Sequence, residues 1–249
     1  MFTDTLLTSI ANGTTAAVRI PDLMTAADCA RVLDRLDAVP LVPYDEGRVS
    51  PVIQKFGPVL NDHRQTDGTL SASYWPIAQE AREVWRKARL RPDPLAVSLL
   101  RLADAWASPV EAATIGGRQV FAGTLRTIDQ GAVVHYDEAV REYPDGLFDQ
   151  QILSQLAFNL FLSVPESGGE TSIWRHRWDP EDEQHRESYG YTPEVVDGVQ
   201  RVQLTPQAGD AILFDPRNYH AVAPSSGTRR IAVAFFLGIT SAGDLIAWS

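Results

Sequence analysis

The chain has 249 residues, 44% of them hydrophobic and 22% charged, and a formal net charge of −10. That balance describes a soluble globule with ample material for a core, and it opposes binding to nucleic acid or anionic membranes, which both demand positive potential. No run approaches the roughly 20 apolar residues that span a bilayer, and the opening MFTDTLLTSIANGTTAAV lacks the basic start and apolar block of a secretory signal, so a cytoplasmic address is expected.

TTAAVRIPDL (14–23) reads as a short strand stopped by Pro21. Thr25 then caps a helix, TAADCARVLDRLDAV, in which Cys29, Val32, Leu33 and Leu36 share a face. Cys29 is the only cysteine, which excludes an internal disulfide and any multi-cysteine metal site; on that face it is a buried, inert thiol. Residues 41–70 hold several Pro, Gly and Asp without a clear period and are expected to be irregular. A helix near 76–90 sets Ile77, Ala81, Val84, Trp85 and Ala88 on one stripe, and DPLAVSLLRLADAWA forms another from about 94 to 107. Beyond it the segments 119–128, 155–164, 170–178, 197–204, 210–216 and 228–239 favour strands, with Gly, Pro, Ser and Asp between them. Helices first and short strands later predict a mainly β fold with flanking helices, an α+β sandwich or barrel. One domain over 1–249 is expected, with helical support over about 1–110 and a β core over about 111–240.

GAVVHYDEAV (131–140) ends an apolar run with His135 and Asp137, two apart, so on an extended strand both side chains point to one face. RNYHAVAPSSGTRRIAVAFF (217–236) carries His220, then a Pro-Ser-Ser-Gly turn, then Arg229 and Arg230 opening the last long strand. A hairpin here would bring the end of one strand to the start of the next. Two imidazoles and one carboxylate on adjacent strands are the ligand set of a non-haem Fe(II) site, with octahedral positions left open. An arginine at the start of the neighbouring strand can hold a carboxylate bidentately. The remaining histidines, His63, His176 and His185, read as surface or hydrogen-bonding residues.

Four segments occur in a telling order: H-Y-D at 135–137, LAFNLFLS (156–163) with PESGGETSIW (165–174), GDAILFDPRNYHAV (209–222) and SGTRRIAV (226–233). Through them the chain resembles the Fe(II)/2-oxoglutarate-dependent dioxygenases over roughly residues 119–240. The resemblance implies a double-stranded β-helix core (jelly-roll, cupin-like), with His135, Asp137 and His220 as the iron ligands and catalytic centre. It implies Arg229 as the anchor for the C5 carboxylate of 2-oxoglutarate, preferred to Arg230 because it follows Gly227-Thr228 directly. The Arg229 face of that strand then continues through Ile231, Val233 and Phe235 as the barrel interior, and Arg230, with Ala232, Ala234 and Phe236, points outward. Asn159 sits where related enzymes place a polar side chain on the co-substrate; the plain alternative is a buried amide satisfied by backbone. The implied cofactors are Fe(II), 2-oxoglutarate and O₂, and the implied reaction hydroxylates an unactivated C–H bond with release of succinate and CO₂. Relatives that halogenate carbon lack the carboxylate ligand, so Asp137 favours hydroxylation, desaturation or ring formation. GGET…RHRW…GYTPEVVDG is similar to small bacterial dioxygenases of free or lightly modified amino acids.

For the substrate, Glu138 faces away from Asp137 by alternation and reads either as a solvated loop residue or, with Tyr136 or Glu142, as part of a lid meeting a cationic group. WDPEDEQHRESYGYTPEVVDG (178–198) is long enough to be a functional loop near the barrel mouth. Trp174, Trp178 and Trp248 are candidate substrate walls, although a tryptophan in a sandwich is more often core. A small, amine-bearing substrate suits these acidic loops. Two other readings stay open: a cupin-like isomerase or hydrolase using another divalent metal, and a non-catalytic β-sandwich binding module. The oligomeric state is not legible.

Overall fold

The computed structural model describes residues 2–44, 47 and 49–249; residues 45, 46 and 48, within the stretch expected to be irregular, lie outside the described residues. The first helix, α1 (Asp4–Ala11), buries Leu7 and Ile10. It has no counterpart in the sequence reading, because eight residues with two buried positions give too little period. α2 (Ala26–Leu33) starts as expected, with the Thr25 side chain accepting from the Asp28 N–H, and buries Cys29 and Val32. It stops earlier than expected, and Leu36 falls in a separate 3₁₀ turn. α3 (Tyr74–Ala88) buries Tyr74, Ala78, Ala81 and Ala88, whereas Ile77 is 42% exposed. The expected stripe otherwise holds, with Val84 and Trp85 packed against the core, and Tyr74, whose buried hydroxyl accepts from the Phe121 N–H at 2.7 Å, extends it at the N-terminal end. α4 (Pro94–Trp106) opens on Asp93, whose carboxylate accepts from Leu95 and Ala96 N–H groups and also takes the Trp85 indole N–H at 3.1 Å, tying α3 to α4.

The strands that place the site are β1 (Ala17–Ile20), β2 (Gln54–Phe56), β3 (Thr124–Thr127), β4 (Ala132–His135), β5 (Ile152–Ser163), β6 (Thr171–Arg177), β7 (Arg186–Glu187), β8 (Gly190–Tyr191), β9 (Arg201–Leu204), β10 (Ala211–Phe214), β11 (Asn218–Val222), β12 (Ile231–Thr240) and β13 (Leu245–Trp248). The larger sheet runs β1-β10-β5-β12-β3-β2, with β13 also paired to β12. The smaller sheet runs β7-β8-β4-β11-β6-β9. From β4 onward the chain passes back and forth between the two sheets, which is the double-stranded β-helix that the resemblance implies. Parts of the 41–70 stretch are regular: in β2, Lys55 pairs with Arg126 and extends the larger sheet, Val42–Pro43 pairs in turn with β2, and Leu60–His63 forms a 3₁₀ turn. β11 and β12 form no hairpin, since they belong to opposite sheets.

The two faces of the larger sheet differ in what covers them. Its outer face packs Leu156, Phe158, Val233 and Phe235 under Leu7, Ile10 and Val32 of the helices, with Phe158 and Phe235 stacked at 4.7 Å. Burying each such side chain is worth about 1.5–3 kcal/mol. The inner face, toward the smaller sheet, carries Ala157, Phe161, Ile212, Phe214 and Ala232. This corrects the face assigned to β12. The alternation holds, but Val233 and Phe235 lie under the helices and Ala232 faces the interior. Bulky aliphatic and aromatic residues fill the helix-covered side, while the inner side mixes Ala157 and Ala232 with Phe161, Ile212 and Phe214 around the hollow. Among the described residues, no helix is long and apolar enough to cross a membrane.

Candidate metal centre

β4 and β11 pair antiparallel with His220 directly opposite His135, which brings the two rings to 4.2 Å between centroids. The β4 ladder ends at His135. Asp137 arrives from just beyond it, pinned by its backbone N–H to the Pro216 carbonyl at 2.9 Å. One carboxylate oxygen of Asp137 stands 3.4 Å from His220 Nε2 and 3.9 Å from His135 Nε2. Cis ligands on one octahedral ion, each about 2.1 Å from it, are separated by about 3 Å, so these atoms are close to the spacing a shared ion sets. Among the described residues this is the cluster whose ligand atoms all lie within 4.8 Å of one another.

The hydrogen bonds behind the triad fix what each ring offers. His135 Nδ1 lies 2.8 Å from the Val133 carbonyl and His220 Nδ1 lies 3.0 Å from the Asn218 carbonyl. A carbonyl only accepts, so each Nδ1 carries the proton and each Nε2 turns a lone pair to the centre. Burial, aided by the neighbouring His220, pushes the His135 imidazole down to about 4. Burial alone raises the Asp137 carboxyl, but its contacts with His220 and His135 and the charge of Arg126 outweigh it and bring it to about 2. A neutral imidazole beside an ionised carboxylate is the protonation state that a divalent metal requires. The donor set fits Fe(II).

The triad opens onto a cavity of about 570 Å³, within the range of small-molecule sites. Asn159, half-buried on β5, lines it, as do Phe214, Phe236 and Trp248. Arg230, just before β12, is 2% exposed and faces the cavity. Its Nε donates to the Gly169 carbonyl at 3.2 Å, a terminal nitrogen reaches Thr171 Oγ1 at 3.4 Å, and its guanidinium sits 4.9 Å from the Phe161 ring centroid. The G-G-E-T motif explains itself here. A Cβ on Gly169, at φ +75°, would meet Pro165 at 2.7 Å and the Arg230 Cδ at 3.2 Å. Burial lowers the Arg230 guanidinium to about 10, which leaves it charged at neutral pH.

Arg229 is elsewhere. Its side chain is 53% exposed and donates to Gln54 and Thr127 outside the cavity, so the geometry places Arg230, not Arg229, beside the metal triad. Glu138 also departs from the alternation argument: the strand has ended, the chain turns into the short helix α5 (Ala139–Glu142), and Glu138 lines the cavity while paired with Arg141 at 3.1 Å. Glu142 joins it on the wall. Trp174 does not line the cavity. It follows inward-facing Ile173 on β6 and therefore points out, packing against the Val134, Tyr191 and Tyr219 cluster. Trp178 lies in the same outer cluster under the Arg141 guanidinium, 3.8 Å from its ring centroid. The 178–198 segment is ordered. Its β7 and β8 extend the smaller sheet beside β4, and Arg186, Ser188 and Tyr189 wall the cavity. Tyr44 and Arg126 are among the cavity residues that escaped the sequence reading. Arg126 had a signal, a charge in the middle of the strand QVFAGTLRTI, but the pattern did not say which face looks inward.

The family model for the carrier-protein-independent halogenase WelO5 matches residues 3–249. An L-gamma-glutamyl-L-propargylglycine hydroxylase from Streptantibioticus cattleyicolor is 44% identical over 250 residues, covering 100% of this chain and 93% of its own. The N-substituted L-amino acid dioxygenase from Burkholderia ambifaria AMMD, solved in complex with alpha-KG, superposes with a TM-score of 0.66 at 17% identity, over 98% of this chain and 90% of its own. HygX from Streptomyces hygroscopicus, with nickel and 2-oxoglutarate bound, shares the fold at a TM-score of 0.50 and 15% identity, over 96% and 87% of the two chains. With the metal triad, the barrel around it and a match running almost end to end, the chain belongs to the WelO5 family, a branch of the Fe(II)/2-oxoglutarate oxygenases.

Proposed function

We propose that this enzyme hydroxylates an unactivated C–H bond of an amino acid or a lightly modified amino acid, with His135, Asp137 and His220 holding the iron and Arg230 holding the distal carboxylate of 2-oxoglutarate. The family is named for halogenation, and one observation favours hydroxylation: the Asp137 carboxylate, 3.4 and 3.9 Å from the two Nε2 atoms, fills the third protein corner of the site. A halide would need that corner.

When bound, iron and 2-oxoglutarate supply the oxidising power, with one atom of O₂ entering the product and the other leaving in succinate as CO₂ is released. The chain supplies position and dryness. Both Nδ1–H donors hold their rings so that the Nε2 lone pairs stay aimed. Arg230 offers a buried cation whose guanidinium partners, Gly169 O and Thr171 Oγ1, are neutral, and a carboxylate there would form the stronger, charge-assisted pair. Asn159 stands in the cavity wall to meet the same co-substrate. Phe214, Phe236 and Trp248 keep water from the reacting carbon. Glu138 and Glu142 give the wall negative charge suited to a substrate ammonium. The relative that hydroxylates a γ-glutamyl amino acid supports this substrate class. The reading takes the whole chain as one cytoplasmic domain drawing on the intracellular 2-oxoglutarate pool.

The test is a panel of free and γ-glutamyl amino acids, scored by succinate released above the rate without substrate and by product mass. The reading expects one oxygen atom added per succinate with at least one member. A chlorinated product in the presence of chloride, or no stimulated succinate anywhere on the panel, contradicts it.

A further inference from the structure

Besides Arg230, the cavity is lined by Arg64, Arg126 and Arg186, and Arg126 stands apart from the other two in its buried Nε. Arg126 lies on β3 directly across from Ala232 of β12, and Ala232 shares the inward face with Arg230 and Phe236. The two guanidiniums diverge from there. Arg230 turns toward Gly169, Thr171 and the Phe161 ring, whereas the Arg126 guanidinium lies 6.0 Å from the centroid of Phe236, farther along β12. Phe236 is itself 5.8 Å from Trp248, and the Tyr44 phenol interacts with the same guanidinium. Among the described residues, no carboxylate comes within 4.0 Å of either guanidinium, Asp129 meeting only the Arg230 backbone N–H, and the Arg126 Nε is a buried donor with no hydrogen-bond partner. Natural proteins rarely leave such a donor bare without a ligand to meet it.

We infer that Arg126 is the anion subsite for the prime substrate, gripping a substrate carboxylate in the Phe236–Trp248 half of the cavity while Arg230 serves the co-substrate. This deepens the amino-acid reading above and rests on it. A carboxylate is the chemistry that a planar fork with a free Nε–H selects, because it accepts two parallel hydrogen bonds. Glu138, paired with Arg141, and Glu142 stand on the same cavity wall, so the lining carries both signs of charge. That pattern fits a zwitterion. It also makes Arg126 a specificity residue: an ester or amide of the substrate would lose both the charge and one acceptor.

The test pairs each turned-over amino acid or γ-glutamyl dipeptide with its C-terminal carboxamide, in wild type and in Arg126→Gln and Arg126→Lys. Binding of 2-oxoglutarate to the Mn(II)-loaded protein is measured in parallel by calorimetry. Wild type should prefer acid over amide. Arg126→Gln should raise KM for the acid about 50-fold, the usual scale for truncating one partner of a buried charge pair, and bring the acid-to-amide ratio near one. Arg126→Lys, which keeps the charge and loses the fork, should fall between. Affinity for 2-oxoglutarate should move less than about threefold, because Arg230 carries it. A Gln variant that still discriminates acid from amide as wild type does overturns the inference, as does a variant whose main loss is 2-oxoglutarate affinity. If wild type turns over no member of the panel, the amino-acid reading itself has failed and the inference with it.

Discussion

Two histidine–aspartate clusters sit on opposite faces of the smaller sheet, and only one of them is built to hold a metal. On the inner face, His135, His220 and Asp137 turn their Nε2 and carboxylate atoms toward one point beside a cavity. On the outer face, Asp182 is already saturated. It accepts from the Asp179 N–H at 2.8 Å, from His176 Nε2 at 3.1 Å and from the Tyr219 hydroxyl at 3.1 Å. His176 also stacks on Tyr219, with 5.3 Å between centroids. Residue types are nearly the same on both sides. In the inner cluster the backbone takes both Nδ1 protons and leaves the other nitrogens free; in the outer one the side chains satisfy one another. Adjacent residues Tyr219 and His220 point to opposite faces and so serve the two roles.

The comparison breaks most visibly under substitution. His220→Ala or Asp137→Ala should take substrate-dependent succinate formation below detection and lower iron bound per chain, while thermal melting shows the fold retained. Near-normal turnover in either variant would dissolve the distinction. Next in size, Arg230→Ala should raise KM for 2-oxoglutarate by about 100-fold, the scale of losing a buried charge-assisted pair. Arg229→Ala, on an exposed side chain, should change it less than twofold. The reverse order would restore the assignment that the sequence alone favours. On the outer face, Asp182→Ala should cost about 1–3 kcal/mol of stability, since it strands the Tyr219 hydroxyl and the Asp179 N–H. Chemical denaturation measures this, and iron stoichiometry should stay at the wild-type value.

The smallest effect is one of pH. The hydrogen bonds from Asp179, His176 and Tyr219 outweigh burial, which acts in the opposite direction, and hold the Asp182 carboxyl below its ordinary value. A carboxyl with a lowered folded pKa contributes stability that is complete above the unfolded value, near about 3.9, and is lost as pH falls through the folded one. The stability gap between wild type and Asp182→Asn should therefore narrow on acidification through that window. A gap that widened would show that the hydrogen bonds do not favour the ionised form.

Sequence and structure agree where chemistry is carried by residue identity and short spacing. H-Y-D and the distal His220 picked out three side chains that the fold brings together, and the Gly-Thr-Arg-Arg run pointed to a cavity arginine one residue off. The facing of β12 was not legible. Its stretch IAVAFF alternates apolar with apolar, so periodicity gives two faces without saying which is inside, and only the helices packed over Val233 and Phe235 decide it. Glu138 failed for a related reason. Alternation predicts a direction only while the strand continues, and β4 stops at His135. Arg126 and Tyr44 come to the cavity from segments far apart in the chain, one within an apolar strand and one within a loop, and neither segment carries a motif.

The central claim is that one ferrous ion is held by His135, Asp137 and His220 with 2-oxoglutarate beside it. Anaerobic titration of Fe(II) into the apoprotein with 2-oxoglutarate present, followed by the visible charge-transfer band of the chelate, tests it directly. The account predicts a band that saturates at one iron per chain in wild type and is lost in the His135→Ala/His220→Ala double variant. A band of undiminished intensity in that variant, or none in wild type, would contradict it.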